Sequence, residues 1–282
     1  MNPFTLPTSS VITLNGPDAA AFAQSQFAND VTTLLPGQWQ WSAWLNAKGR
    51  VIALLALIKH DENRIDLLLQ DNTASTIAEQ LRRYVFRCKV AVVVQERLQI
   101  SGIFQAPDKA RQAIIAHTAD GRIELDFSNC RQPRTLCIGP PSGAIGSQQD
   151  SVNRWYTTDL QSGLPHLSSD AQQNRWTPQQ LSLDRLHAFS TKKGCYPGQE
   201  VVARTHFLGK TKRELVLLQL STAVAADTPV FQNGRPIGEI ICATGGIPAT
   251  ALAVLTLDRG EAPLFVADAQ AQPLPLIPGL ER

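Results

Sequence analysis

Long apolar runs are missing from this chain. No stretch approaches the roughly 20 apolar residues that cross a bilayer, so no membrane-spanning helix is expected. Residues 1–10 show no basic segment followed by an apolar run, so no secretory leader is expected either. An excess of one charge is also missing: 26 basic against 24 acidic residues leave a net charge of +2. A whole-molecule field that weak does not announce a nucleic-acid binder, and direct nucleic-acid binding is not expected. Cysteine is sparse. Cys88, Cys130, Cys137, Cys195 and Cys242 are odd in number and far apart, with no CxxC pair. That suits a reducing cytosol and lacks the ligand spacing of a zinc or iron–sulfur site. The expectation is a cytoplasmic protein with no metal in this chain.

What is present suits a globular protein. The 282 residues, 43% of them hydrophobic, allow one large or two to three small domains. Residues 11–14, 39–43, 51–58 and 65–69 read as strands, with Trp39, Trp41 and Ala43 alternating as in a half-buried one. Helices are expected around Ala20–Phe27 and Ile77–Val85, the second capped by Asn72 or Thr73. Arg82, Arg83 and Arg87 read as a solvated face, with an anion-binding patch as the alternative. Residues 89–95, 98–104, 123–127 and 135–138 read as strands, and 108–118 as a helix with a partly buried His117. A polar loop begins at Gly139-Pro140-Pro141-Ser142-Gly143. Residues 152–160 read as helical, and Thr177-Pro178-Gln179-Gln180 has the form of a capping box before a short helix over 181–189. Beyond Arg204, short strands (215–220, 229–232, 238–243, 252–257) alternate with turns, and Asn233-Gly234 signals a hairpin. Residues after Gln270 are proline-rich and are expected to trail over the surface. The fold class is α+β: compact modules approaching a ferredoxin-like arrangement over 1–204, divided near residue 96, then a small antiparallel barrel over 205–282.

One stretch concentrates chemistry: Lys192-Lys193-Gly194-Cys195-Tyr196-Pro197-Gly198-Gln199-Glu200, running through Val201 to Arg204. It reads as a loop joining a helix to a strand. Pro197 and Gly198 suit the two central positions of a type II turn. Gly194 would let the backbone approach a neighbour closely. Two ammonium groups beside a thiol would favour its thiolate form, unless Cys195 is simply a small buried residue.

The nonapeptide resembles the signature KGCYxGQE of the YgfZ/GcvT-like folate-binding proteins, which serve iron–sulfur proteins. PQQLSLD at 178–184, HFLGK at 206–210 with Lys212-Arg213, and LNAKGR at 45–50 resemble further stretches of that family, so the likeness covers nearly the whole chain. It implies the same ferredoxin-like modules with a T-protein-like barrel, and a central folate pocket with the signature loop near it. It implies that Trp155, which precedes Ser162-Gly163-Leu164-Pro165, stacks on the folate, tetrahydrofolate or another form. Cys195 would be the reactive or regulatory group, within a functional motif of Lys193, Gly194, Cys195, Tyr196, Gly198, Gln199, Glu200 and Arg204. Lys192, Lys193 and Arg204 would hold carboxylates.

Three functions follow as alternatives. The first is a folate-binding accessory protein supporting assembly or repair of iron–sulfur clusters in client proteins, iron–sulfur tRNA-modifying enzymes among them. The second is a tetrahydrofolate-dependent aminomethyltransferase. Against it, Ala53-Leu54 stand where the T-proteins carry an acidic pair, and Gln161 where relatives place a glutamate. The third is an RNA- or protein-binding module using Arg82, Arg83, Arg87, Lys89 and the run Lys210 to Arg213. The sequence favours the first.

Overall fold

The computed structural model describes residues 2–71, 73–141, 148–167, 172–209 and 211–282. Asn72 as a helix cap, Ser142 and Gly143 in the polar loop, and Lys210 in the HFLGK stretch lie outside the described residues.

In chain order the strands are Phe4–Thr5 (β1), Ser10–Asn15 (β2), Gln38–Leu45 (β3), Val51–Lys59 (β4), Arg64–Leu69 (β5), Ala91–Val94 (β6), Gln99–Ile103 (β7), Ala116–His117 (β8), Ile123–Asp126 (β9) and Thr135–Gly139 (β10). Helices Ala19–Gln26 (α1) and Ala74–Arg82 (α2) follow β2 and β5, and Gln149–Gln161 (α3) follows β10. Strands β3-β4-β5-β2-β6 form one antiparallel sheet. Without its edge strand β3, this is the ferredoxin-like order. The first sheet is buried on both faces, which the sequence reading of β3 as half-buried did not capture. Ile52, Leu55 and Leu57 of β4 meet α1 and α2 on one side. Trp39, Trp41, Ala43, Ala56 and Ile58 face a central core on the other.

The second sheet has the order β1-β7-β10-β9-β8, with α3 following its last strand in sequence. Here the expected helix over 108–118 does not form. Gln112 takes a left-handed φ of 48°, and the segment lies along the free edge of β3. The amide of Trp39 donates to the Ala113 carbonyl at 2.8 Å, and that of Ile115 to Gly37 at 2.9 Å. An exposed strand edge with unpaired amides is a stronger demand than the weak helical spacing of Ala110, Ala113 and Ile114. His117 is exposed, not partly buried.

Beyond the modules, Gln199–Phe207 is a helix (α4), and Arg213–Leu220 (β11), Pro229–Gln232 (β12), Arg235–Ala243 (β13), Ala249–Thr256 (β14), Leu264–Val266 (β15) and Ala269–Leu274 (β16) close a barrel in the order β11-β14-β13-β12-β15-β16. Asn233 and Gly234, with φ of 51° and 73°, make the two-residue turn of the β12–β13 hairpin. The end of the chain does not trail. β16 pairs with β11 and completes the barrel. Residues 277–282 then return to the modules: the Ile277 amide donates to Gln161 (2.8 Å) and the Trp41 indole to Leu280 (2.8 Å). The buried Arg282 guanidinium donates to the Asp126 carbonyl at 2.7 Å and lies over Trp39. Burial of Ile277 and Leu280 outweighs the proline between them. One core cluster accordingly contains residues of both sheets, α3, the barrel wall and this returning segment. Among the described residues no helix is long and apolar enough to cross a membrane.

Candidate functional site

A cavity of about 390 Å³ opens between the end of β5, α3 and the barrel. The end of β5 supplies Gln70 and Asp71, α3 supplies Asn153, Tyr156 and Leu160, and the barrel supplies Ile241, Cys242 and Ala243; His166 and Thr8 complete much of the wall. Gln70 is only 8% exposed, and neither its Oε1 nor its Nε2 has a partner. Desolvating both ends of a carboxamide without bonding either is costly, so a ligand or water is owed at this position.

Behind that wall lies a chain of alternating charges. Arg134 donates to the Asp159 carboxylate at 2.6 Å, both side chains being fully buried. The second Asp159 oxygen is 3.5 Å from His166 Nε2, and His166 Nδ1 is 3.0 Å from Asp71. Asp71 also accepts the Leu167 amide at 2.9 Å. Burial by itself lowers the His166 pKa, but hydrogen bonding and charge from Asp159 and Asp71 outweigh it and push it up to about 10. The imidazole is therefore a cation clamped between two carboxylates at neutral pH. The Tyr156 ring meets it edge-on at 5.3 Å, and the Tyr156 hydroxyl hydrogen-bonds Thr8. Cys242 accepts the His166 amide, and its thiol is pushed up to about 12 by burial, which leaves it unreactive.

Trp155 does not reach this cavity. It is 1% exposed, packed among Phe4, Phe104 and Phe127, with the Arg134 guanidinium 4.5 Å from its ring. The face expected to stack on a ligand is covered by protein, and the aromatic on the cavity wall is its neighbour Tyr156. Gln161 also points elsewhere, lining a separate surface pocket with Asn129 and Arg131. Ala53 and Leu54 are buried in β4 and bring no carboxylate to the wall. The polar residues missed by the sequence reading left one signal. Val152, Trp155 and Asp159 share a helical face (i, i+3, i+7), and a carboxylate on an apolar face requires a buried partner.

The signature loop forms a second centre and adds no residue to the described lining of the cavity. Its turn is as expected: Gly198 has φ 79° and ψ 3°, and the Gln199 amide donates to Tyr196 at 3.2 Å. Val201 to Arg204, read as part of the connecting loop, is helical, because Gly198 ends the turn directly at the start of α4. Glu200 in its first turn and Arg204 and His206 in its last complement the helix dipole. Gly198 and Gly49 press together: a β-carbon on Gly198 would sit 2.6 Å from the Gly49 α-carbon, and one on Gly49 2.7 Å from Val201. The LNAKGR hairpin and the signature thus meet backbone to backbone. Gly194 needs no such freedom, since nothing lies within 4 Å of the position its β-carbon would take.

Lys193 is the anchor of this loop. Its ammonium donates to the carbonyls of Gln24 (2.6 Å), Phe27 (2.6 Å) and Asn29 (3.1 Å), which saturates it at the end of α1. Burial lowers its pKa to about 8, partly offset by Asp30. It is therefore turned away from any ligand carboxylate. The Tyr196 hydroxyl donates to Ser190, and Gln199 Nε2 to the Lys193 carbonyl. Cys195, Lys192, Glu200 and Arg204 are left exposed. The cations of the α2 end do not converge: Arg82 is bonded to the Val92 carbonyl, Arg83 lies near Glu79 and Arg87 over Phe86. Among the described residues no group of three or more His, Cys, Asp or Glu side chains could hold a metal ion.

Two sheets and a closed barrel, packed through one shared core, define the class: this is the fold of the glycine-cleavage aminomethyltransferase T. The Bartonella henselae structure of that protein matches with a TM-score of 0.74 at 16% identity, covering 97% of this chain and 84% of that one. In sequence, the chain is similar to proteins called tRNA-modifying protein YgfZ. That of Vibrio vulnificus is 28% identical over 287 residues, covering 95% of this chain and 84% of the relative. That of Cronobacter sakazakii is 28% identical over 274 residues, covering 89% and 79%. No protein-family model matches the chain. The resemblance to the YgfZ/GcvT-like family read from the signature thus extends over most of the chain and over the fold.

Proposed function

We propose that this protein binds a folate in the central cavity and acts as an accessory in assembling or repairing iron–sulfur clusters of other proteins, tRNA-modifying enzymes among these clients. The observation that carries the reading is the unpartnered Gln70 carboxamide in a cavity of a size suited to a small cofactor. The wall fits a flat, hydrogen-bonding heterocycle. Gln70 offers a donor and an acceptor, Asp71 a carboxylate, Tyr156 an aromatic ring, and Leu160, Ile241 and Ala243 apolar surface. A bound tetrahydrofolate would supply a nitrogen able to carry a one-carbon unit. The protein's part is to seat the ring and exclude water. The fold of an aminomethyltransferase and relatives named for tRNA modification support the reading. Aminomethyl transfer is not part of it: Ala53 and Leu54 stand where the T-proteins carry an acidic pair, and the Asp71 carboxylate on the wall is engaged by His166 and the Leu167 amide.

Calorimetric titration with tetrahydrofolate and a polyglutamylated form tests the proposal. Saturable binding is expected, weakened about tenfold in Gln70→Leu by the lost hydrogen bonds. No heat from either form would sink it, and turnover with a lipoyl carrier protein would favour the transferase instead.

A further inference from the structure

The outward face of α4 brings exposed rings and exposed cations together. Glu200, Arg204 and Phe207 recur at i, i+4 and i+7, opposite the buried Val202. Phe207 is 66% exposed and Leu208 86%, and the Phe207 ring stands edge-on to the His206 imidazole at 4.8 Å. Four exposed cations surround this face. Arg204 lies on the helix, Lys192 on the loop before it and Lys212 just beyond it. Lys48 tips the hairpin whose Gly49 presses on Gly198 at the start of α4. Among the described residues none of these four side chains has a hydrogen bond or an ion pair. Several cations elsewhere are engaged: Arg175, Arg259 and Lys59 each hold a carboxylate. Glu200 is the one acid on the outward face of α4. A net charge of +2 therefore conceals a local positive field.

We propose that this face binds RNA, with phosphates on Lys48, Lys192, Arg204 and Lys212 and an unpaired base stacked on Phe207. Unpartnered cations around a projecting aromatic ring are the elements of single-strand recognition. An acidic protein surface could use the same cations, but it gives no role to the exposed His206–Phe207 ring pair. Relatives named for tRNA modification point the same way. The inference does not rest on the folate reading. The face is made by α4, the hairpin and the signature loop, none of which supplies a described lining residue of the central cavity.

The test is fluorescence anisotropy of the full chain with a labelled tRNA transcript, at several salt concentrations. Four phosphate contacts predict a log–log slope of about −3, hence about 50-fold weaker binding at 200 mM than at 50 mM salt. Phe207→Ala should weaken binding about tenfold with little change of slope. Lys48→Glu and Arg204→Glu should each weaken it and flatten the slope by about one. All three positions are exposed, so unchanged melting temperatures are expected to accompany these losses. Absence of tRNA binding at 50 mM salt overturns the proposal, as does binding that all three variants leave unaltered. Polyglutamate binding the same face as tightly as tRNA would overturn it in favour of an acidic protein partner. Folate titration of the same samples separates this outcome from that of the cavity.

Discussion

Trp155 and Tyr156 are adjacent in α3 and have opposite fates. Trp155 fills the aromatic core and carries Arg134 on its face, while Tyr156 stands on the cavity wall. Trp155→Ala should therefore act on stability, costing ~3–5 kcal/mol as large core truncations do. Tyr156→Ala should leave the melting temperature closer to the parent and weaken tetrahydrofolate binding. Thermal melts beside titrations separate the two, and a weakened ligand in a fully stable Trp155→Ala protein would reverse the assignment. His166 makes a second residue-scale prediction. Its folded pKa is raised from 6.5 to about 10, so the folded state holds a proton that the unfolded chain releases. The stabilisation is complete below about pH 6.5 and is lost as pH rises towards 10. Melting temperature should fall over pH 6.5–8 in the parent and stay flatter in His166→Gln. Above pH 8 Lys193, whose pKa is lowered, contributes with the opposite sign, so the lower window is the diagnostic one. A parent curve that rises over pH 6.5–8 would exclude the clamped cation.

Among the elements, the signature loop is held as much from inside as by its own turn. Lys193 satisfies three carbonyls at the end of α1, and replacing it by methionine leaves them without that donor. Lys193→Met should cost ~2–3 kcal/mol and raise both proteolysis and alkylation at the loop. In the parent, exposed Cys195 should alkylate faster than Cys137 or Cys242, whose thiols burial pushes up to about 11 and 12. Peptide mass spectrometry after timed alkylation reads both effects; equal rates at Cys195 and Cys242 would remove the exposed-thiol reading. Much at this scale was legible in the sequence. Local signals carried it: Pro197-Gly198 for the turn, Asn233-Gly234 for the hairpin, and Thr177 with Gln180 for a capping box whose two reciprocal bonds form. The failures needed partners distant in sequence. Residues 108–118 carry helical spacing, yet the edge of β3 recruits them. Lys193 reads as a free cation until α1 presents its carbonyls. Gln70, Asp71, Asp159 and His166 become a site only when β5, α3 and the barrel converge.

At the scale of the whole molecule, residues 277–282 join the barrel to the modules. Removing residues 275–282 exposes Trp39 and Trp41 edges and leaves the Trp41 indole without its acceptor. The truncated chain should melt at lower temperature, with the barrel and the modules unfolding in separate steps by scanning calorimetry. A single transition at the parent temperature would mean that the returning segment holds nothing together. Its position also has a meaning in time. A ribosome releases these residues only after both sheets and all six strands of the barrel, so every earlier nascent length lacks the piece that fastens them. Chains that stall before it would present the uncovered Trp39 and Trp41 edges to proteases, and only those that pass it would fasten the barrel to the modules.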